Sequence, residues 1–224
     1  MSAERAVSRR YVPPRSTSLP AVLDAALRIV DDEGVDALSM RRLADDLGIG
    51  AMTLYRYVAT KDSLYDELVT LVLGDLASDP VAGAPWRAQL EEVLTALHDE
   101  LRAHPGITEI ILTRRAPTPA FDRHRETVLA ILRGAGFSVE AAVDALTSLI
   151  CYALGFSHVE RIRVRVDRAE EAHRLQSLPG DQFPHLTEAA AVYPGHLSDR
   201  AFSTGLGAML DGLERALAGA TGRH

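Results

Sequence analysis

The chain has 224 residues, of which 47% are hydrophobic and one is a cysteine. This length is sufficient for one large or two small hydrophobic cores, and a lone cysteine excludes an intramolecular disulfide framework. The net charge of −7 at pH 7 argues against a protein that coats nucleic acid with its whole surface.

The first 17 residues contain four arginines and two prolines but show no helical periodicity. They predict a flexible basic arm, which is either a disordered start or an arm that contacts DNA phosphates or the minor groove. Residues 1–61 carry nine Arg or Lys and eight Asp or Glu, a net charge of +1, whereas the remaining 163 residues carry 15 and 23, a net charge of −8. Positive charge is therefore concentrated at the N-terminal end.

A first amphipathic helix is predicted to begin near Ser18 or Leu19 and to end at Gly34. Its apolar residues recur at helical spacing, and Pro20 lies in the first turn, where its missing N–H costs nothing. We expect this helix to support the pair of short helices that follows it.

Two short helices joined by a glycine turn are predicted between Ser39 and Tyr57. Ser39 is a favourable N-cap, the residues after it form one apolar face, and Gly48 ends the first helix. The second helix is predicted to run from about Ala51 to Tyr57, with Leu54 facing inward. This arrangement is typical of a helix-turn-helix motif, although an ordinary helical hairpin gives the same pattern.

The exposed side of the second helix combines small, hydroxyl, aromatic and guanidinium groups, which suits a helix that lies in the DNA major groove. Tyr55, Arg56 and Tyr57 lie close to Lys61, the only lysine of the chain, and a helix that merely packs would not require them. We expect base contacts to determine sequence preference and phosphate contacts to determine register. The candidates for base edges are Arg41, Ala51, Met52, Thr53 and Arg56, and those for phosphates are Ser39, Arg42, Tyr55, Tyr57 and Lys61.

A fourth helix is predicted after Thr60 and continues to about Ala77, where a loop rich in Pro, Gly and Asp follows. We therefore predict a helix-turn-helix domain over residues 18–77 and a second domain over residues 78–224. The second domain has no convincing strand pattern, and its segment 167–186 is predicted to be a loop or a frayed helix. Its predicted helices cover about 86–104, 105–112, 118–133, 139–166 and 202–217.

The helix predicted over 139–166 is apolar on most sides between Ala141 and Phe156, as expected of a helix that packs against several neighbours or a partner subunit. Cys151 lies in this stretch and is predicted to be a buried, unreactive thiol. The apolar runs of the chain are shorter than a membrane span requires, and no secretory signal is apparent. A cytoplasmic protein without membrane contact is therefore expected.

The sequence lacks the spacings that define common catalytic motifs. His98 and His104 are six residues apart rather than four, GAGFS has Phe where a nucleophile elbow needs Ser, and GLGAML lacks the third glycine of a dinucleotide loop. We therefore expect no enzyme, no cofactor and no metal site. A helical enzyme and a non-specific architectural DNA-binding protein are the alternatives to a sequence-specific DNA-binding protein.

The stretches EGVDALSMRRLADDLG and TLYRYVATKDSL resemble the DNA-binding domain of the tetracycline-repressor-like (TetR) transcription regulators, and the resemblance extends over residues 19–76. The stretches GFSVEAAVDALTSLICYALGF and FSTGLGAMLDGLERAL are similar to the core of the branch that contains the tetracycline repressors. The resemblance implies an all-α fold, with a three-helix DNA-binding head and a larger helical domain that binds a small effector and forms a homodimer. It also implies a repressor that binds a pseudo-palindromic operator in double-stranded DNA and is released by its effector.

The same resemblance places His104 near a histidine that in tetracycline repressors contacts the drug and its magnesium ion, and Glu160 near the acidic residue on the metal side. Pro105 follows His104, and the other drug contacts have no match in this sequence. A structural role for His104, just before a helix start, is the alternative. Apolar residues of the second domain are expected to line a pocket, or else to be plain core. The pocket candidates are Trp86, Leu97, Leu101, His104, Ile110, Phe121, Leu149, Tyr152, Phe156 and Glu160.

Overall fold

The computed structural model of the chain describes residues 17–74, 76, 81–113, 118–164 and 167–221. In these ranges the regular structure is helical and no strand occurs, so the predicted all-α class is confirmed. The helices are α1 (Leu19–Glu33), α2 (Met40–Leu47), α3 (Ala51–Leu54), α4 (Lys61–Leu73), α5 (Trp86–Ala103), α6 (Pro105–Thr113), α7 (Pro119–Gly134), α8 (Val139–Val164), α9 (Arg168–Gln176), α10 (Pro184–Ala189) and α11 (Asp199–Thr221).

The boundaries of α1 and α2 are those that the capping residues predict. The Ser18 hydroxyl accepts a hydrogen bond from the backbone N–H of Ala21, and the Ser39 hydroxyl accepts one from that of Arg42. Gly48 ends α2 with a φ of 65°, a left-handed conformation that favours glycine over other residues. These local signals position the two short helices relative to the turn between them.

Helix α3 is shorter than predicted, because it ends at Leu54 rather than at Tyr57. The chain continues as a tight turn in which the N–H groups of Arg56 and Tyr57 bond to the carbonyl groups three residues earlier. Thr60 already caps α4 in a reciprocal capping box with Ser63, so few residues remain between the two helices. The predicted recognition face therefore comprises a single helical turn and the tight turn that follows it.

Helix α4 joins the N-terminal head, which consists of α1 to α3, to the larger helical body, which consists of α5 to α11. It packs against α1 of the head and against α6 and α7 of the body. Its buried side chains belong to one hydrophobic cluster that runs from Val22 and Leu43 in the head to Leu94 and Leu149 in the body. The head is therefore attached through a shared core and not only through a linker.

For the second half of the chain, the structure decides one open prediction and contradicts another. The segment predicted to be a loop or a frayed helix contains the helices 168–176 and 184–189, and Asp167 caps α9 by accepting hydrogen bonds from two backbone N–H groups of its first turn. Cys151 is exposed rather than buried. The reason is that α8 packs its inner side against α5, α6, α7 and α11 and leaves an outer side uncovered in this single chain.

The expectation about membrane spans also needs correction. Residues Val139–Ile162 of α8 are long enough, and with a mean hydropathy of 1.5 apolar enough, to meet the length and composition of a membrane span. The core helix of a soluble protein meets the same criteria. Composition alone therefore does not identify α8 as a membrane-spanning helix. In the described ranges α8 packs against α5, α6, α7 and α11.

Helix α7 carries an unusual buried residue, His124. Its side chain is fully buried, and neither ring nitrogen has a hydrogen-bond partner in the described ranges. Burial disfavours the protonated ring and lowers the pKa of His124 to about 4. The neutral imidazole is therefore the form that the folded protein accommodates.

This burial predicts an acid-sensitive fold. Below about pH 6.5 His124 binds a proton in the unfolded chain but not in the folded chain. The free energy of unfolding therefore falls by up to about 3 kcal/mol as the pH decreases from about 6.5 to about 4. Urea unfolding of the His124→Leu variant should show a weaker loss of stability over this window. The exposed His185→Ala variant is the matched control, and an unchanged pH slope for His124→Leu would contradict the assignment.

Candidate DNA-binding face and ligand region

The predicted DNA-contacting residues lie on one end of the head, on α2, α3 and the tight turn after α3. Most are exposed, with Met52 at 81% and Tyr55 at 47% of their full accessible surface. Leu54 and Val58, which alternate with them, are buried in the head. The exposed and half-buried members of the predicted set are Ser39, Arg41, Arg42, Ala51, Met52, Thr53, Tyr55, Arg56, Tyr57 and Lys61.

Three of the predicted phosphate contacts already have partners within the head. Arg42 donates two hydrogen bonds to Glu33, at 2.7 and 2.5 Å, and this contact lowers the pKa of the Glu33 carboxyl. The Tyr57 hydroxyl donates to the carbonyl of Thr17, which ties the start of the described chain to the end of the tight turn. The Ser39 hydroxyl caps α2. These contacts give the three side chains a structural role beside the predicted one.

Lys61 lies at the first position of α4, and its ammonium group is 5.4 Å from the centre of the Tyr65 ring. This cation–π contact and the helix position hold the side chain at the end of the head, beside the tight turn. The four arginines predicted to form a basic arm lie in residues 1–16, outside the described ranges.

The predicted ligand residues are distributed over several places in the body rather than around one cavity. Trp86 lines a cavity of about 430 Å³ beside the loop before α5. Leu149 lines one of about 510 Å³ between α8 and α11, and Leu101 and Glu160 line one of about 300 Å³ beside α1. The remaining apolar candidates, Leu97, Ile110, Phe121, Tyr152 and Phe156, are buried or half-buried in the core.

An aromatic and polar cluster around His98, a residue that was not among the predicted ligand residues, adjoins the 300 Å³ cavity. The buried ring of His98 stacks on Phe202 with 4.0 Å between ring centres, and its Nδ1 is 3.0 Å from the hydroxyl of Ser157. Its Nε2 is 3.8 Å from Glu160 Oε2, and neither of these two atoms has a hydrogen-bond partner in the described ranges. Burial lowers the pKa of His98 and raises that of Glu160, because it disfavours the charged form of each group.

A signal for His98 was present in the sequence, because it lies one helical turn after Leu94 on the apolar side of α5. For Asp31, in contrast, the sequence contained no signal of a functional or structural role. It lies in α1, and its carboxylate accepts hydrogen bonds from His104 Nδ1 at 2.8 Å and from the Gly106 N–H at 2.9 Å. His104 therefore has a structural partner in the head.

His104 and Glu160, which the resemblance relates to the drug-bound magnesium ion of tetracycline repressors, have other partners in this structure. In the described ranges no three His, Cys, Asp or Glu side chains converge to hold a metal ion. His104 uses Nδ1 to contact Asp31, whereas Glu160 faces His98. The two residues that the resemblance relates to the drug and its metal ion thus serve different contacts here.

Two family models match the chain. Residues 22–68 match the bacterial regulatory proteins of the tetR family, and residues 79–217, more than half of the chain, match the tetracyclin repressor-like C-terminal domain. The chain belongs to the TetR family. The predicted function of a ligand-responsive, DNA-binding transcriptional regulator rather than an enzyme is thereby confirmed.

Relatives within the TetR family align along most of the chain. The HTH-type transcriptional repressor DrrR1 of Streptomyces coeruleorubidus is 31% identical over 90% of this chain and 79% of its own length. The class E tetracycline repressor of Escherichia coli is 30% identical over 89% of this chain and 92% of its own length. The crystal structure of apo ActR from Streptomyces coelicolor superposes with a TM-score of 0.75 at 30% identity, covering 94% of this chain and all of that one.

The DNA-binding face predicts different roles for Arg56 and Lys61. A bidentate contact from Arg56 to a guanine would contribute about 1–3 kcal/mol of discrimination, so Arg56→Ala should relax the preference at one position of each half-site. Lys61→Ala also removes one positive charge. It should weaken binding to all DNA sequences alike and reduce the slope of log affinity against log salt concentration by about 1. Fluorescence anisotropy with single-base operator variants measures both effects. An equal loss for every variant operator would show that Arg56 contacts phosphate instead.

Proposed function

We propose that the chain is a cytoplasmic homodimeric repressor that binds a pseudo-palindromic operator and releases it when a small molecule enters the body. The observation that carries this proposal is the exposed face of α3 and the tight turn after it, on a head that shares its core with a larger helical body. The repressors among the relatives support the direction of regulation.

The homodimer is supported by the uncovered outer side of α8. It exposes Val143, Val159 and Ile162, and a mostly apolar groove of about 510 Å³ is lined by residues of α8 and α11 nearby. A second copy that packs on this side would bury the exposed apolar residues and Cys151 together. Two-fold symmetry would then present two α3 faces to one side of a duplex.

The proposed DNA contacts follow from exposure and chemistry. Arg41, Met52 and Arg56 are exposed and reach outward from the face, which suits contacts with base edges. Ala51 and Thr53 are small enough to let the helix approach the major groove closely. Tyr55, Lys61 and the paired Arg42 flank this centre, where phosphates would lie.

The effector is proposed to be a small, mostly apolar or aromatic molecule. ActR, whose crystal structures include complexes with (S)-DNPA and with actinorhodin, is 29–30% identical to this chain and superposes with a TM-score of 0.73 in both. The cavities of this body, at about 300 to 510 Å³, lie within the usual size of small-molecule sites. Release of DNA requires that the effector bind the two conformations unequally.

The test combines a thermal-shift screen with operator titration, with actinorhodin and tetracycline as the first probes of an aromatic library. A true effector should raise the melting temperature of the free protein and weaken operator binding by about 5- to 150-fold, a typical coupling. Operator should weaken effector binding by the same factor, because linkage is reciprocal. Tight ligands that leave operator affinity unchanged would contradict effector release and would leave the body as a dimerisation core.

A further inference from the structure

Head and body approach each other closely outside α4 where α6 begins, at Gly106. A β-carbon placed on Gly106 would lie only 2.7 Å from the backbone carbon, the carbonyl oxygen and the Cγ2 of Val30 in α1. Real β-carbons essentially never approach other atoms so closely, and a shift of backbone atoms costs more than a shift of the end of a flexible side chain. Only glycine therefore allows the first turn of α6 to lie directly on the backbone of α1.

Asp31, the next residue of α1, connects the same two helices by hydrogen bonds. Its Oδ1 accepts the N–H of Gly106 at 2.9 Å, and its Oδ2 lies 2.8 Å from His104 Nδ1. The first N–H groups of a helix have no partner within the helix, and negative charge is favourable at this end. A carboxylate of the head thus caps a helix of the body, and its side chain is only 17% exposed.

Helix α8 holds the other side of this contact. The Arg161 guanidinium donates to Glu109 of α6 at 2.8 Å and to the carbonyl of Pro105 at 3.4 Å. One of its nitrogens would also lie 3.8 Å from a β-carbon on Gly34, which ends α1. The end of α1, the start of α6 and the side chain of Arg161 therefore meet at one joint, and the 300 Å³ cavity lined by Asp31, Pro105 and Arg161 borders it.

We propose that Asp31 and Gly106 are positioning residues for DNA binding, because they fix the angle at which the head leaves the body. Helix α1 packs against both α2 and α4, and α2 packs against α3, so a change at the end of α1 turns the whole recognition face. In a dimer the two faces must match two half-sites at a fixed separation, and a small change of angle at each head alters that separation. This role rests on the proposed homodimer, in which the contact between Asp31 and Gly106 would set the separation of the two faces.

The test compares a full operator, selected from random DNA by the wild-type protein, with a duplex that carries one half-site. Gly106→Ala and Asp31→Ala should weaken binding to the full operator by about tenfold or more, within the range of typical coupling. Both should change binding to the single half-site by less than about threefold, because each head remains folded. Asp31→Asn should restore most of the affinity, since its amide oxygen can still accept the Gly106 N–H.

The matched controls are Gly134→Ala, where a β-carbon meets open space, and Asp32→Ala, an exposed carboxylate beside Asp31. Equal loss on full and half operators would overturn the inference, because it would indicate a damaged head rather than a changed separation. Unchanged full-site affinity in folded Gly106→Ala or Asp31→Ala protein would overturn it too. If the wild-type protein itself does not prefer the full site, the proposed dimeric function fails instead, so the two failures are distinguishable. Should Gly106→Ala not fold, the Asp31→Ala and Asp31→Asn pair carries the same comparison.

Discussion

The predicted DNA-binding face depends on the packing of α2 against α1 and of α3 against α2, because α2 and α3 are too short to be stable alone. An isolated helix of fewer than about 12 residues is marginal in water, and these two contain eight and four residues. Leu43 and Leu54 anchor them in a core that α4 extends into the body. The orientation of the recognition residues is thus a property of the whole core, and a disturbance in the body can reach the head through packed side chains.

This dependence also explains how one face can be both rigid and regulated. Side chains such as Tyr57, Arg42 and Ser39 are held by hydrogen bonds inside the head, which ties the face to the head. Its connections to the body are of two kinds, the packing of α4 and α1 on the body and the polar contact of Asp31 with the start of α6. The polar contact borders a cavity and consists of few hydrogen bonds, which makes it the more adjustable of the two.

Features encoded by neighbouring residues could be predicted from the sequence, whereas features created by distant ones could not. The starts of α1 and α2 and the end of α2 follow from Ser18, Ser39 and Gly48, each of which acts within one helical turn. The exposure of Cys151 depends on which sides of α8 its neighbours cover, and composition does not contain that information. The contact of Asp31 with Gly106 joins residues 75 positions apart, and no periodicity connects them. The exposure of the residues predicted to contact DNA could be foreseen, because an exposed patch is the complement of the predicted apolar side.

The most direct measurement is selection of random duplex DNA by the wild-type full-length chain, followed by sequencing of the bound fraction. If two copies present their α3 faces to one duplex, the enriched sequences should contain two inverted half-sites whose centres are about one helical turn, roughly 34–36 Å, or a multiple of it, apart. Enrichment of a single asymmetric site, or no enrichment above the input pool, would contradict a two-fold symmetric and sequence-specific regulator.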